Sequence, residues 1–204
     1  MQIIYDFDGV MVDSYDSVRQ MYQEMARQCG KTLTIDELNY CYEHSMNDNV
    51  QHIFQDDVWD IIKNLDYKHF YDMVMPENDI AVTLDTLKYM GIGISICSNR
   101  VSGIAYILDR FNLSRFINNV VTSKDYPSKP DPTGLLSLID DTAIFVGDGE
   151  IDRQTAHNAG IPFIAYNNPN ISADIHIKSH LQILSLTNNI GYGTNIAGGL
   201  NGNS

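Results

Sequence analysis

The sequence predicts an α/β protein with a Rossmann-like parallel sheet, helices on both faces of that sheet, and a small all-helical cap domain. Two observations predict this fold. After Pro76, short apolar runs alternate with helical patterns, and such alternation favours right-handed crossovers and a mostly parallel sheet. Before Pro76, a single apolar run at 2–6 precedes helical segments that contain almost no β-branched apolar runs.

The first strand and the cap come from residues 2–75. Residues 2–6 (QIIYD) form an apolar run that ends on an acid, as a buried strand does when it brings a side chain to a ligand. From Ser14, a residue type common at helix N-caps, a helical pattern runs to Cys29 and stops at Gly30. Four more helices are expected at about 34–43, 47–54, 56–64 and 67–75. We therefore expect a helical cap over 14–75, with its Trp59, Tyr and Phe residues packed in its core.

The core domain is expected over 1–13 and 76–187. Strands are expected at about 92–98, 118–122, 142–148, 162–166 and 173–177. Helices are expected at about 78–90, 101–111, 132–139, 150–159 and 178–186. Residues 188–204 hold five Gly and five Asn without periodicity, so we expect a flexible Gly/Asn-rich tail there.

Charge and cysteine usage exclude several classes of protein. The 204 residues carry 26 acids against 13 Lys and Arg, a net charge of −13, which argues against nucleic acid or an anionic membrane as a partner. The three Cys have no CxxC spacing, so neither a disulfide framework nor a zinc site is expected. No apolar run approaches ~18 residues and the N-terminus lacks a secretory pattern, which favours a cytoplasmic protein. The oligomeric state is unknown from the sequence.

Polar groups follow the apolar strands. Asp6 and Asp8 follow the first strand, Ser98 ends a later one, and Asp148 and Asp152 follow a third. In a parallel sheet these ends gather at one edge. Carboxylates a few ångströms apart repel each other unless a hard cation neutralises them, so the pattern favours Mg²⁺.

The neighbouring residues indicate phosphoryl chemistry. Ser98 offers a hydroxyl and Lys129 a positive charge, while the backbone around Phe7, Asp8 and Gly9 can form an anion-binding loop. These groups suit the oxygens of a phosphoryl group. Asp6 can then act as a nucleophile, and Asp8 as a general acid and base. Asn99 and Arg100 follow Ser98 and are further candidates for substrate contact, although residues in the position of Arg100 more often begin the next helix on the surface.

Four segments resemble, in order and spacing, the motifs of the haloacid dehalogenase-like (HAD) superfamily. They are DFDGVMVDS at 6–14, ICSNR at 96–100, KPDP at 129–132 and VGDGEIDRQTAHNAG at 146–160. The segment 14–75 resembles the cap that this family inserts after its first motif, and VDS at 12–14 is similar to the phosphoglycolate phosphatase-like branch. One departure is Gly149, which stands where Ser or Thr is common.

The resemblance implies a role for each matching residue. Asp6 matches the nucleophile and a metal ligand, and Asp8 the acid and base that binds the metal through its carbonyl. Ser98 matches the phosphate-binding hydroxyl, and Lys129, favoured over Lys124 by its KPDP context, the lysine that stabilises nucleophile and phosphate. The remaining two acids are Asp148, which matches the third metal ligand, and Asp152, which matches an acid beyond the direct ligands.

The sequence therefore predicts a Mg²⁺-dependent phosphatase that hydrolyses a small phosphorylated metabolite through an aspartyl-phosphate on Asp6. Two alternatives stay open. One is a phosphomutase of the same superfamily; the other is a non-catalytic regulatory protein that binds metal or phosphate. The cap segment 14–75 has eleven acids and five Lys and Arg, which mildly favours a small monophosphate over a polyanion.

Overall fold

The structure is a computed structural model that describes residues 1–54 and 58–191. The tail expected over 188–204 therefore falls mostly outside the described residues. Its first four residues belong to the last helix, which extends to Gly191.

A six-stranded parallel sheet forms the centre of the core, with the order β5-β4-β1-β6-β7-β8. The strands are β1 (Gln2–Tyr5), β2 (Val12–Asp13), β3 (Met75–Pro76), β4 (Gly93–Ser98), β5 (Asn119–Thr122), β6 (Ala143–Gly147), β7 (Phe163–Tyr166) and β8 (Ile175–Ile177). β2 and β3 form a separate antiparallel pair. The predicted fold class is confirmed.

The helices fall close to their expected positions. They are α1 (Tyr15–Gln28), α2 (Ile35–Glu43), α3 (Met46–Asn49), α4 (Trp59–Asn64), α5 (Tyr67–Tyr71), α6 (Ile80–Tyr89), α7 (Ile104–Arg110), α8 (Thr133–Leu136), α9 (Glu150–Ala159) and α10 (Leu181–Gly191). A π-helix (Val50–Phe54) continues α3, and a 3₁₀ turn (Ser114–Phe116) follows α7. None of the helices in the described ranges has both the length and the apolarity needed to cross a membrane.

Alternating side chains of the strands pack on opposite faces of the sheet. Ile3 and Tyr5 belong to one apolar cluster together with Leu84 of α6 and Ile107 of α7. Ile4 belongs to a second cluster, with residues from α8 and α9. Because side chains along a strand alternate between faces, a sheet covered on both sides needs this continuous apolar pattern.

Helices α1–α5 surround an apolar core of their own. Tyr22 and Met25 of α1 pack there with Phe54 and Phe70, all of them buried. The second helix begins at a capping box in which Thr34 and Glu37 bind each other's backbone N–H groups. This agrees with an all-helical cap, while the domain boundaries stay a prediction.

The chain leaves and re-enters the core side by side at β2 and β3. Val12 pairs with Pro76 and Asp13 with Met75 in antiparallel register. The helix expected over 67–75 therefore ends early, at Tyr71, since Met75 and Pro76 take an extended conformation in this pairing. Both connections between core and cap thus pass through one narrow region.

Candidate active site

The sheet register gathers the strand ends into a cleft of about 850 Å³ between core and cap. Tyr5, the last residue of β1, pairs with Ile96 on one side and Val146 on the other. Asp6 therefore follows at the same edge as Ser98 and Asp148. All three side chains line the cleft, together with Asp8 and Lys129.

Three carboxylates meet at the base of this cleft. Asp6, Asp148 and Asp152 each offer an oxygen, and these atoms lie within 4.8 Å of one another. Burial raises the pKa of Asp6 to about 7, although Lys129 opposes the shift. Burial also raises the pKa of Asp148 well above its ordinary value, and the neighbouring Asp152 and Asp6 add to this effect. Clustered carboxylate oxygens of this kind are the ligands that Mg²⁺ prefers, so the donor set fits that ion.

Lys129 is the cation beside the carboxylates. Its Nζ lies 2.8 Å from Asp6 Oδ1 and 2.5 Å from Asp152 Oδ1, with the side chain only 6% exposed. Burial lowers the pKa of Lys129, but Asp152 and Asp6 outweigh burial and raise it, so the ammonium stays charged. The backbone N–H of Lys129 donates to Asn99 Oδ1 at 2.8 Å. Asn99, expected to touch substrate, thus uses its amide to position the lysine.

Asp152 connects the lysine to the helix that follows β6. Its Oδ1 accepts the Lys129 hydrogen bond, and its Oδ2 accepts the Gly149 N–H at 3.2 Å. A Cβ on Gly147 would lie 2.4 Å from the Asp152 Cβ, so the close approach requires glycine there. Both carboxylate oxygens of Asp152 are engaged in these hydrogen bonds. Asp152 is therefore suited to orienting Lys129 rather than to binding a metal directly.

Arg100 binds Asp8 through both carboxylate oxygens. Arg100 Nε lies 2.9 Å from Asp8 Oδ2, and its Nη2 lies 2.6 Å from Oδ1. Burial tends to raise the pKa of Asp8, but the guanidinium outweighs burial and holds it below its usual range. The backbone N–H of Arg100 also donates to Ser98 Oγ at 3.2 Å. Arg100, expected to contact substrate, is therefore occupied by Asp8 in this structure.

The loop after β1 places Asp148 close to the backbone. Gly9 has φ +74, and a Cβ there would lie 2.3 Å from Asp148 Oδ2 and 2.7 Å from the Tyr42 hydroxyl oxygen. Its N–H donates to Val12 O at 2.9 Å, so Gly9 contributes space rather than the free donor expected for an anion-binding loop. The Phe7 side chain is fully buried in the core.

Several cleft residues were missed from the sequence. Asn168 donates to the Asp148 carbonyl oxygen at 2.7 Å and holds that loop from the far side. On the cap, Tyr40, Tyr67 and Tyr71 line the cleft. The sequence instead indicates that the aromatic residues of the cap pack in its apolar core. The spacing of Tyr67 and Tyr71, four residues apart, is a signal that both lie on one helix face.

Comparison with known proteins identifies relatives over most of the chain. Residues 3–166 match the sequence profile of the family described as haloacid dehalogenase-like hydrolase. A phosphoglycolate phosphatase of Pseudomonas syringae pv. syringae is 25% identical over 186 residues, covering 80% of this chain and 68% of that protein. A phosphoglycolate phosphatase of Aquifex aeolicus is 23% identical over 171 residues, covering 78% and 80%.

Solved structures resemble the fold over most of the chain. A HAD-superfamily hydrolase of subfamily IA, variant 1, from Geobacter sulfurreducens superposes with a TM-score of 0.79 at 28% identity, covering 91% of this chain and 98% of that one. A haloacid dehalogenase-like family hydrolase from Streptococcus pneumoniae gives a TM-score of 0.73 at 15% identity, covering 91% and 97%. At that identity, the second likeness concerns the fold alone.

Proposed function

Because the chain belongs to the haloacid dehalogenase-like hydrolase family, we propose that it is a Mg²⁺-dependent phosphatase that hydrolyses a small phosphomonoester through an aspartyl-phosphate on Asp6. The observation that carries this proposal is the position of Asp6 at the base of the cleft, 2.8 Å from the Lys129 ammonium and beside Asp148. The phosphoglycolate phosphatases among its relatives support the same reaction class.

Asp6 is the nucleophile in this proposal. A carboxylate oxygen of Asp6 attacks phosphorus, a phosphorus–oxygen bond forms, and the bond to the leaving alcohol breaks. Lys129 favours the ionised form of Asp6 and offsets charge on the phosphoryl oxygens, while the Ser98 hydroxyl donates a hydrogen bond to one of them. Asp6 and Asp148, with the Asp8 carbonyl, would hold Mg²⁺, which when bound supplies positive charge to the phosphoryl oxygens.

Asp8 carries the proton. It donates a proton to the leaving oxygen and then takes one from the water that hydrolyses the aspartyl-phosphate. Arg100 contacts both Asp8 oxygens, and that grip favours the ionised carboxylate needed for the second step. To carry a proton in the first step, Asp8 must be released by Arg100 at one of its oxygens.

The test is the variant Asp6→Asn, assayed for release of inorganic phosphate from simple phosphomonoesters with Mg²⁺ present. We expect turnover to fall by about 10³-fold or more, because the amide cannot act as the nucleophile. The matched control is Asp85→Asn, the same change at an exposed position on α6, which should leave turnover intact. Near-wild-type activity of Asp6→Asn would remove the mechanism.

The same assay separates the two alternatives. Retention of the phosphoryl group on an isomerised product would indicate a phosphomutase rather than a phosphatase. Metal binding without turnover of any ester would indicate a binding protein. Neither alternative is favoured by a particular feature of the cleft, and the cytoplasmic location stays a prediction.

A further inference from the structure

The cap side of the cleft is built from aromatic rings. Tyr40 and His44 stack with their ring centroids 3.8 Å apart and their planes 8° from parallel. Tyr67 and Tyr71 stack at 5.9 Å and 25°. All four side chains are half-buried and line the same cleft as the carboxylates. Paired flat rings of this kind bind other rings and apolar groups through area and stacking.

These four rings, of Tyr40, His44, Tyr67 and Tyr71, form an aromatic wall to which segment 14–75 adds no Lys or Arg, and the one guanidinium near it among the described lining residues is that of Arg100, 5.8 Å from the Tyr71 ring centroid. Segment 14–75 contains five Lys and Arg, and none of them is among the described residues that line the cleft. Their contacts lie elsewhere: Arg19 stacks on Tyr15, Arg27 pairs with Glu24, Lys31 donates to the Phe54 carbonyl, Lys63 pairs with Asp60 and Lys68 with Asp72. The charged side chains that this wall does contribute are the acids Glu43 and Asp48.

The cations on the core side are already engaged. Among the described lining residues these are Lys129, which lies between Asp6 and Asp152, and Arg100, which binds Asp8. The phosphoryl group competes for Lys129 in the proposed reaction. A second anionic group on the substrate would therefore lose water without gaining a cation, which is unfavourable.

We propose that the leaving group of the substrate is an uncharged, ring-bearing alcohol and not a carboxylate-bearing one such as glycolate. This rests on the proposed phosphatase function and names its substrate class. The volume of about 850 Å³ accommodates such a ring, since pockets for ring-sized organic ligands span roughly 300–1,000 Å³. The proposal separates this chain from the activity named for its phosphoglycolate phosphatase relatives.

The experiment compares kcat/KM for two pairs of phosphomonoesters with Mg²⁺ present. Benzyl phosphate is paired with 4-carboxybenzyl phosphate, and ethyl phosphate with 2-phosphoglycolate. Within each pair the two esters differ by a carboxylate, and the leaving alcohols are chemically similar. We expect the uncharged member to be favoured about tenfold or more in each pair, and benzyl phosphate to exceed ethyl phosphate.

Two variants, with one matched control, test whether these preferences arise from the cap side of the cleft. Tyr67→Leu should lower kcat/KM for benzyl phosphate more than for ethyl phosphate, mainly through KM, because a stacking surface is lost. Tyr89→Leu is the matched control, since Tyr89 is 93% exposed on the core, and it should change neither value. Glu43→Gln should reduce the discrimination against 4-carboxybenzyl phosphate by about threefold, because one repelling charge is removed.

Other outcomes would overturn the inference. A preference for the carboxylate-bearing esters would contradict it, and loss of that preference in Arg19→Gln would show that Arg19 turns into the cleft to bind the carboxylate. Equal kcat/KM values for benzyl and ethyl phosphate would contradict the proposal that the leaving group bears a ring. Failure to hydrolyse any of the four esters would instead remove the proposed function itself, so the two failures are distinguishable.

Discussion

The two walls of the cleft differ in how they use charge. The core wall consists of Asp6, Asp148, Asp152 and Lys129, which are largely buried. One oxygen of each carboxylate lies within 4.8 Å of the others, and Lys129 forms ion pairs with Asp6 and Asp152. On the cap wall, stacked rings such as those of Tyr40 and His44 dominate. Buried charges fix position and reactivity at a high cost in desolvation, whereas rings offer area without a fixed orientation. In the proposed function, the core wall performs the reaction and the cap wall selects the alcohol.

Among variants that leave Asp6 in place, the largest effect on turnover is expected from Lys129→Met on the core wall. Removing the ammonium leaves Asp6 and Asp152 without their cation. We expect turnover to fall by roughly 10²–10³-fold and the free energy of unfolding to fall by about 3–5 kcal/mol in the absence of metal. Phosphate release and denaturant unfolding measure the two effects.

Lys124→Met is the control for this change, because it is the same substitution at an exposed lysine five residues away. It should affect neither turnover nor unfolding. Similar losses in both variants would mean that the core wall does not depend on its buried cation, and the contrast between the walls would fail.

A smaller effect is expected from Gly9→Ala, where core and cap meet. The added Cβ would lie 2.3 Å from Asp148 Oδ2 and 2.7 Å from the Tyr42 hydroxyl oxygen. We expect turnover to fall by about 10–100-fold, because a displacement of about 1 Å in a reacting group can cost that much. A higher half-saturating Mg²⁺ concentration, measured by metal titration of turnover, should accompany the loss because Asp148 is displaced.

The matched control for Gly9→Ala is Gly91→Ala. Gly91 has the same φ of +74, but its Cβ would meet nothing within 4 Å. Both variants carry the same backbone strain, so we expect both to lose stability, with a further loss of stability and a loss of turnover in Gly9→Ala alone. If Gly91→Ala lost equal activity, strain rather than crowding of Asp148 would be responsible.

The smallest effect on turnover is expected from His180, which lies in the core away from the cleft. Burial lowers its pKa from 6.5 to about 4, and the opposing influences of the Val10 backbone and of Asp79 are smaller. Between these values the unfolded chain binds a proton that the folded chain does not. Stability is therefore complete above pH 6.5 and lost as the pH falls towards 4, by on the order of 3 kcal/mol.

His180→Phe should flatten this part of the dependence of unfolding free energy on pH, because the ring stays and the titrating group goes. The control is His176→Phe, at an exposed position on β8, which should keep the slope of the wild type. Turnover at neutral pH should change little in either variant. An unchanged slope in His180→Phe would show that other groups produce the acid dependence.

The fold and the core wall could be predicted because both follow from local patterns. A buried parallel strand is a continuous apolar run, and the next residue necessarily lies at the carboxyl edge of the sheet. Asp6, Ser98 and Asp148 could therefore be placed together before any contact was known. The ion pair between Arg100 and Asp8 could not be predicted in this way. The two residues lie 92 positions apart in the chain, and their contact depends on the conformation of the arginine side chain.

The cap wall was not predicted because helical spacing does not tell which neighbour a helix face meets. Tyr40, Tyr67 and Tyr71 have the same pattern as core aromatics, and only the packing of the cap against the core leaves them in the cleft. The antiparallel pairing of β2 with β3 was also missed, since each strand has only two residues. Such short strands form through tertiary contacts rather than through their own propensity.

The pairing of β2 with β3 has a consequence for how the two parts of the chain are joined. Val12 and Pro76 are neighbours across two strands although 64 positions separate them in the chain. The cap therefore begins and ends at almost the same point of the core, and neither β1 nor the order of the sheet depends on what lies between. A segment attached in this way can be exchanged for another of different length or composition while the sheet edge that carries Asp6, Ser98 and Asp148 is retained.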